Sequence, residues 1–178
     1  MTADRGALAL AAAEAASVLP DLRLVVFERW DDGLAAAFHR LESSSFRREL
    51  RYDRAELEER AARPGFEGLL AFGGREPEAG AVAYEWMRPG VLYLDVLAVR
   101  LPGRGLGSKL MEAVVRGARK AGYGALRLDT ETVSERGQPL VDWYRRFGFL
   151  TADPEEDDGP EGNVPMVLSL SGQPGRRE

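Results

Sequence analysis

The feature that most constrains the fold is a change of pattern within "AVRLPGRGLGSKLMEAVVRG", Ala98 to Gly117. The apolar run "VLYLDVLAV" ends in a loop with three glycines in five residues, and a helical pattern begins at Gly107. A run that is apolar on both faces predicts a buried central strand. The stripe that follows recurs with the period of an amphipathic helix. The chain must therefore place the end of a buried strand beside a helix N-terminus, with nearly bare backbone between them.

The rest of the chain alternates helical and strand patterns. The predicted strands are 22–28, "GLLAFGG", "GAVAYEWM", "VLYLDVLAV", "ALRLDT" and "NVPMVLSL", and the predicted helices cover 34–44, 53–63, the segment from Gly107 to a C′ glycine at Gly122, and 139–146. "GREPEA" is the predicted turn of a hairpin. This order predicts an α/β (α+β) protein with an alanine-rich N-terminal helix in 1–20, one domain over 21–170, and a disordered tail at 171–178.

Composition excludes several classes of site. The chain has no cysteine, which removes disulfides and thiolate chemistry, and one histidine, which leaves no polyhistidine metal site. That residue, His39, lies in an ordinary helical pattern. The net charge of −5 argues against nucleic acid as a partner. No stretch approaches the roughly 20 apolar residues of a membrane span. We expect a cytoplasmic protein with no metal and no membrane partner.

The glycine loop predicts an anion site. A helix N-terminus offers unpaired N–H groups and the positive end of a dipole, and glycines let a phosphate approach the backbone closely. Arg104 and Lys109 add positive charge. A Walker loop and a dinucleotide-binding loop both require glycine where this chain has Ser108. Neither nucleotide motif therefore fits.

The segment "LDVLAVRLPGRGLGSKLMEAVVRGARKAGYGALRLDT", followed by "WYRRFGF", resembles the GNAT superfamily of acyl-CoA-dependent N-acetyltransferases. The resemblance extends roughly from residue 68 to residue 170. It implies a mixed, mostly antiparallel central sheet whose central strands splay apart, with helices on both faces. It also implies acetyl-CoA as the co-substrate.

The resemblance assigns the cofactor site residue by residue. The pantetheine arm would pair with the backbone of Leu97 and Val99, and the pyrophosphate would bind main-chain amides of the glycine turn. The implied cofactor-binding residues are Leu97, Ala98, Val99, Arg100, Gly103, Arg104, Gly105, Leu106, Gly107, Ser108 and Lys109. The chain departs from the family in a shorter loop, in which either Arg100 or Pro102 takes the first motif position. Gly137 replaces an asparagine that is often found ahead of the tyrosine helix.

The chemistry is the attack of an amine on a thioester. An alkylammonium with a pKa near 10.4 must lose a proton to react, and the departing thiolate must gain one. The family pattern makes Tyr144 the general acid. Asp95 is the first candidate for the base because it is the one charged residue in its strand, and its position is similar to that of an acidic residue in polyamine acetyltransferases. Glu85 is the second candidate, and a water chain without a dedicated base is the alternative.

The acceptor is expected to be a primary amine, either a polyamine-like small molecule or a protein N-terminus or lysine, attacked directly in a ternary complex. The acidic run at 153–162 is either a solvated loop or a segment that attracts a basic substrate. The main alternative function is a non-catalytic sensor of coenzyme A or acyl-CoA, and a nucleotide-binding regulator is a more remote one. We expect a monomer or a homodimer.

Overall fold

The computed structural model describes residues 5–86, 88–134, 136–153 and 162–172. In chain order the elements are α1 Ala7–Ala15, β1 Arg23–Phe27, α2 Asp32–Ser45, a 3₁₀ turn Arg48–Leu50, α3 Arg54–Ala61, β2 Glu67–Gly73, β3 Glu76–Glu85, β4 Val91–Val99, α4 Leu106–Lys120, β5 Ala125–Thr130, α5 Leu140–Arg145, β6 Leu150–Thr151 and β7 Val164–Ser169. Most of the predicted acidic run and of the predicted disordered tail lies outside the described residues. None of the described helices is long and apolar enough to span a bilayer.

The strands form one seven-stranded sheet in the order β1-β2-β3-β4-β5-β7-β6. All neighbouring strands are antiparallel except β4 and β5, which are parallel. That parallel pairing is short: Val91–Tyr93 pair with Ala125–Arg127. Beyond Tyr93 the two central strands separate and leave an opening in the middle of the sheet. The predicted mixed, mostly antiparallel sheet with splayed central strands is therefore confirmed.

Helices cover both faces of the sheet, as predicted. On one face α1, α4 and α5 pack over residues such as Leu92, Leu94 and Leu128. On the other face α2 and α3 pack over Val82 and Tyr93. We call these the α4 face and the α2 face.

Helix α1 packs into the hydrophobic core on the α4 face of the sheet. It packs against α4 at Gly117, where an added Cβ would lie 2.5 Å from the backbone nitrogen of Ala11. Its N-terminus is held by the Glu67 carboxylate of β2, which accepts from the backbone N–H groups of Leu8 at 2.9 Å and Ala9 at 3.2 Å. The carboxylate thus supplies the cap that Gly6 cannot, because glycine has no side chain.

The largest differences between predicted and observed elements lie at turns and at one short strand. The turn after β2 is narrower than predicted, because β3 begins at Glu76 and takes in most of "GREPEA". Strand β6, Leu150–Thr151, was not predicted. A two-residue strand shows no period, so only its pairing with β7 defines it.

Candidate active site

A cleft of about 360 Å³ opens where β4 and β5 separate. It lies between the C-terminal end of β4, the glycine turn, the first turn of α4, and α5. The residues that line it are Leu97, Val99, Leu101, Pro102, Gly103, Gly105, Leu106, Gly107, Ser108, Gln138, Leu140, Trp143, Tyr144 and Arg146. The structure therefore brings Tyr144 and most of the predicted cofactor-binding residues to one cavity.

The edge of β4 that faces this cleft carries backbone groups that pair with no strand. The Arg100 N–H donates to the Glu78 carbonyl of β3 at 2.8 Å. Because successive residues of a strand point their N–H and C=O groups to opposite sides, those of Leu97 and Val99 point away from β3. The Ser45 hydroxyl, at the end of α2, donates to the Val99 carbonyl at 2.8 Å. A carbonyl oxygen has a second lone pair, so this edge still offers donors and acceptors to a row of amides.

The glycine turn leads into an uncapped helix N-terminus. Gly103 and Gly105 have φ of +89° and +74°, which only glycine adopts without strain. Gly105 is the N-cap of α4 and provides no side-chain cap. The first intrahelical bond runs from the Lys109 N–H to the Gly105 carbonyl. The N–H groups of the preceding turn therefore remain available to an anion.

The four remaining cofactor residues predicted from the resemblance do not line the cleft. Ala98 is buried on the α2 face. The Arg100 guanidinium makes a two-pronged ion pair with Glu78, at 3.0 Å from Nε and 2.6 Å from Nη2. Arg104 and Lys109 are exposed and form no ion pair with the described residues. Positive charge near the turn is therefore offered by the exposed side chains of Arg104 and Lys109 and by Arg146, which lines the cleft.

Tyr144 reaches the cleft from α5 and is held by aromatic rings. Trp143 packs edge-on against it with ring centroids 4.9 Å apart, and Phe149 does so at 5.8 Å. Within the described part of the chain the hydroxyl makes no hydrogen bond, and burial raises the pKa of Tyr144 to about 12. A phenol with this pKa is protonated at neutral pH, so Tyr144 is available as a proton donor and not as a base.

Asp95 lies in a β-bulge of β4 and is fully engaged. Val82 pairs with Val96 and Ala83 with Leu94, so Asp95 has no partner across the β3–β4 ladder. Its side chain, 7% exposed, accepts from Arg60 Nε at 2.8 Å and from the Tyr52 hydroxyl at 2.9 Å. Burial raises the pKa of the Asp95 carboxyl, and Arg60 and Tyr52 oppose that rise. The sequence identified Asp95 as an unusual buried carboxylate. It did not predict the two partners, which are Arg60 of α3 and Tyr52 in the segment before α3.

Glu85 is not brought together with the other predicted catalytic residues. It lies at the opposite end of β3, in register with Leu92, whereas the cleft begins at Leu97. Glu85 borders a separate depression of about 290 Å³ that Arg5, Gly90 and Tyr123 also line. The hairpin register places these two ends of the sheet apart.

Two groups of residues near the opening were missed by sequence reasoning. Gln138, Leu140 and Trp143 line the cleft from the α5 side, and only the neighbouring Tyr144 signalled that this helix is functional. Across the opening, the Tyr93 hydroxyl of β4 donates to Asp129 Oδ2 of β5 at 2.9 Å. The available signal was an aspartate in the otherwise buried strand "ALRLDT". In the described ranges, no cluster of three or more histidine or acidic side chains is arranged to hold a metal ion.

Comparison with known proteins gives a consistent family. A sequence profile described as the acetyltransferase (GNAT) family matches residues 34–149. No curated protein sequence matches the chain. Many solved structures share its fold. One is the ribosomal-protein-S18-alanine N-acetyltransferase from Escherichia coli, with 17% identity and a TM-score of 0.65, where the match covers 88% of this chain and 99% of that one.

Two further structures have the same architecture. An acyl-CoA N-acyltransferase from Pseudomonas aeruginosa has 17% identity and a TM-score of 0.64, with 83% of this chain and 99% of that chain covered. An acetyltransferase from Bacillus subtilis, in complex with CoA, has 21% identity and a TM-score of 0.58, with 83% and 98% covered. At these identities the structural likeness establishes the fold, and the profile match establishes the family.

Proposed function

Because the chain belongs to the acetyltransferase (GNAT) family, it is an acyltransferase, and we propose that it moves an acetyl group from acetyl-CoA to a primary amine. The amine attacks the thioester directly while both substrates are bound. The acceptor is a polyamine-like small molecule or the N-terminus or a lysine of a protein. The cytoplasmic location expected from the sequence stays a prediction.

The observation that carries this proposal is the combination of three features in one cleft. The unpaired edge of β4 at Leu97 and Val99 suits the amides of a pantetheine arm. The uncapped N-terminus of α4 suits a pyrophosphate. Tyr144 places a phenol on the wall that these two features share. The CoA complex of the similarly folded Bacillus subtilis acetyltransferase supports the same choice of cofactor.

Tyr144 is proposed to protonate the departing thiolate. A group whose pKa is raised to about 12 holds its proton firmly at neutral pH, so it does not compete as a base for the amine. It donates once the carbon–sulfur bond breaks and a basic thiolate forms. The packed rings of Trp143 and Phe149 hold the Tyr144 ring in place.

Two observations support an amine as the acceptor. The similarly folded Escherichia coli protein is by name an alanine N-acetyltransferase. The net charge of −5 favours the approach of cationic molecules.

The test is release of free coenzyme A from acetyl-CoA with a panel of polyamines and short peptides, together with calorimetric titration of acetyl-CoA. Tyr144→Phe should lower kcat by about 100-fold or more and leave the Kd for acetyl-CoA within about twofold, because only the proton donor is removed. Tyr123→Phe is the matched control, since Tyr123 lies in the separate depression at the far end of the sheet. Tight binding of acetyl-CoA with no release from any amine would instead favour the sensor function.

A further inference from the structure

We propose that the depression at the far end of the sheet, away from the cofactor cleft, binds an α-amino acid through both of its charges. The depression has a volume of about 290 Å³. It lies between the start of α1, the end of β3, the turn before β4 and the end of α4. It shares no lining residue with the cofactor cleft, so a ligand bound there does not depend on acetyl transfer.

Two side chains of opposite charge line the depression. Arg5 precedes α1, and Glu85 ends β3. Within the described part of the chain, neither side chain forms an ion pair or a hydrogen bond. The guanidinium and the carboxylate therefore lie more than 4.0 Å apart. Two charged groups that border one space without neutralising each other can bind a molecule that carries one group of each sign.

The helix ends at the depression have the matching polarity. Glu85 shares it with the C-terminal end of α4, the negative end of that helix dipole. The carbonyl of Ala121 at this end accepts no backbone N–H in the described ranges. Arg5 lies at the N-terminal, positive end of α1. The Glu67 carboxylate already binds two N–H groups of α1, so Arg5 carries the positive side of the depression.

The turn that follows α3 holds Glu85 in place. The backbone N–H of Glu85 donates to the Pro64 carbonyl at 2.9 Å. Gly65 packs so closely that a Cβ on it would lie 3.0 Å from Glu85 Cγ and 3.2 Å from the Tyr123 hydroxyl. Glu85 is half-buried and still borders the depression. The stem of its side chain is therefore fixed, while its carboxylate remains accessible to a ligand.

The other walls are small and uncharged. Burial, and after it the charges of nearby carboxylates, raise the pKa of the Tyr123 phenol, so this wall stays neutral at physiological pH. A volume of about 290 Å³ lies just below the range of about 300–1,000 Å³ that is typical of ligand pockets, which suits a small molecule. The residues that bring only backbone to the depression are Gly6, Gly90 and Gly122.

An α-amino acid with an uncharged side chain matches this arrangement. Its ammonium group would bind Glu85, and its carboxylate would bind Arg5. It would bring no third charge that the neutral walls leave unpaired. A diamine or a phosphate ion carries charge of one sign and would leave either Arg5 or Glu85 without a partner.

The experiment titrates the ¹⁵N-labelled full chain with each amino acid that has an uncharged side chain, and records amide signals by NMR. At least one should bind with a Kd of about 1 mM or tighter. It should shift the signals of Gly6, Gly90 and Gly122 and leave those of Gly103 and Gly105 in the cofactor cleft unchanged. Propylamine and propionate each carry one of the two charges, so they should bind at least about tenfold more weakly.

Two substitutions test the charges separately. Arg5→Gln and Glu85→Gln should each weaken amino acid binding by about tenfold or more and leave the Kd for acetyl-CoA unchanged. Tyr123→Phe is the matched control, because it keeps both charges, and its Kd should stay within about twofold of wild type. Thermal unfolding verifies that each variant is folded. With the amino acid at about 20 times its Kd, Tm of wild type should rise by about 4–7 °C.

Three results would overturn the assignment of this site and leave the transferase function untouched. The first is that no amino acid shifts the three glycine signals of the depression. The second is that either charge substitution leaves the Kd unchanged, or that a single-charge analogue binds as tightly as the amino acid. The third is that the amino acid shifts only Gly103 and Gly105, because it then binds in the cofactor cleft.

Discussion

Substitution by alanine should have opposite effects on stability at two glycines of α4. Gly107 and Gly117 both lie within the helix, where alanine is favoured over glycine by up to about 1 kcal/mol. What differs is the space around them. A Cβ on Gly107 would meet Val99 Cγ1 at 3.6 Å and Trp143 Cζ2 at 3.7 Å, which are ordinary contacts.

A Cβ on Gly117 would meet backbone instead. It would overlap the Ala7 carbonyl oxygen and lie 2.5 Å from the Ala11 nitrogen and 2.9 Å from its Cα. Backbone cannot change rotamer, so α1 would have to move away from α4 by about 1 Å, opening a core that is otherwise close-packed. Overpacking of this kind costs about 1–3 kcal/mol or more, which exceeds the gain in helix propensity.

Thermal unfolding of the two variants tests this reasoning. Gly117→Ala should lower Tm by about 3–6 °C, given about 2–4 °C per kcal/mol for a chain of this size. Gly107→Ala should leave Tm unchanged or raise it by up to about 3 °C. It should also weaken acetyl-CoA binding, because its methyl group would project into the cleft. A Gly117→Ala protein as stable as wild type would show that α1 does not pack on α4 as described.

Two further predictions concern buried carboxylates. Burial raises the pKa of Glu42 to about 7. The folded state therefore keeps a proton that the unfolded chain loses near pH 4.5. Because of this difference, the contribution of Glu42 to the free energy of unfolding is largest below pH 4.5 and falls until about pH 7. Between pH 5 and pH 8, the free energy of unfolding by urea should therefore rise by about 2.5 kcal/mol for Glu42→Gln relative to wild type. Parallel pH profiles of the two proteins would refute the raised pKa of Glu42. Asp95→Asn removes the charge that Arg60 faces and should lower the free energy of unfolding by about 3 kcal/mol with acetyl-CoA binding retained. An Asp95→Asn variant as stable as wild type would show that the ion pair with Arg60 does not stabilise the fold.

The sequence predicted those parts of the fold that depend on local patterns. Strands β4 and β5 were predicted with their observed bounds because continuous apolar runs, cut by turn residues, mark buried strands. Helix α4 was predicted because its stripe has a clear period and its start is marked by the glycine turn. Tyr144 was found through its motif, and the structure places it on the wall of the cleft.

The parts that were not predicted depend on contacts between distant segments. The sequence predicted Asp95 as the first candidate base but did not predict that Arg60, 35 residues earlier, binds its carboxylate. The bond between Tyr93 and Asp129 spans 36 residues and exists only in one parallel register. No sequence period records such a pairing. The end of the sheet that Glu85 occupies was not predicted either, because the register of the hairpin decides it.

The short junction between β4 and β5 also affects how long the folded chain survives. Three residue pairs join the two halves of the sheet, against five between β1 and β2 and six between β5 and β7. A cofactor bound between β4 and β5 would add contacts that join the two halves of the sheet. Its binding free energy would add to the free energy needed to separate these halves. The empty protein would then be the form that proteases cut first, and the supply of acyl donor would govern the lifetime of the enzyme as well as its rate.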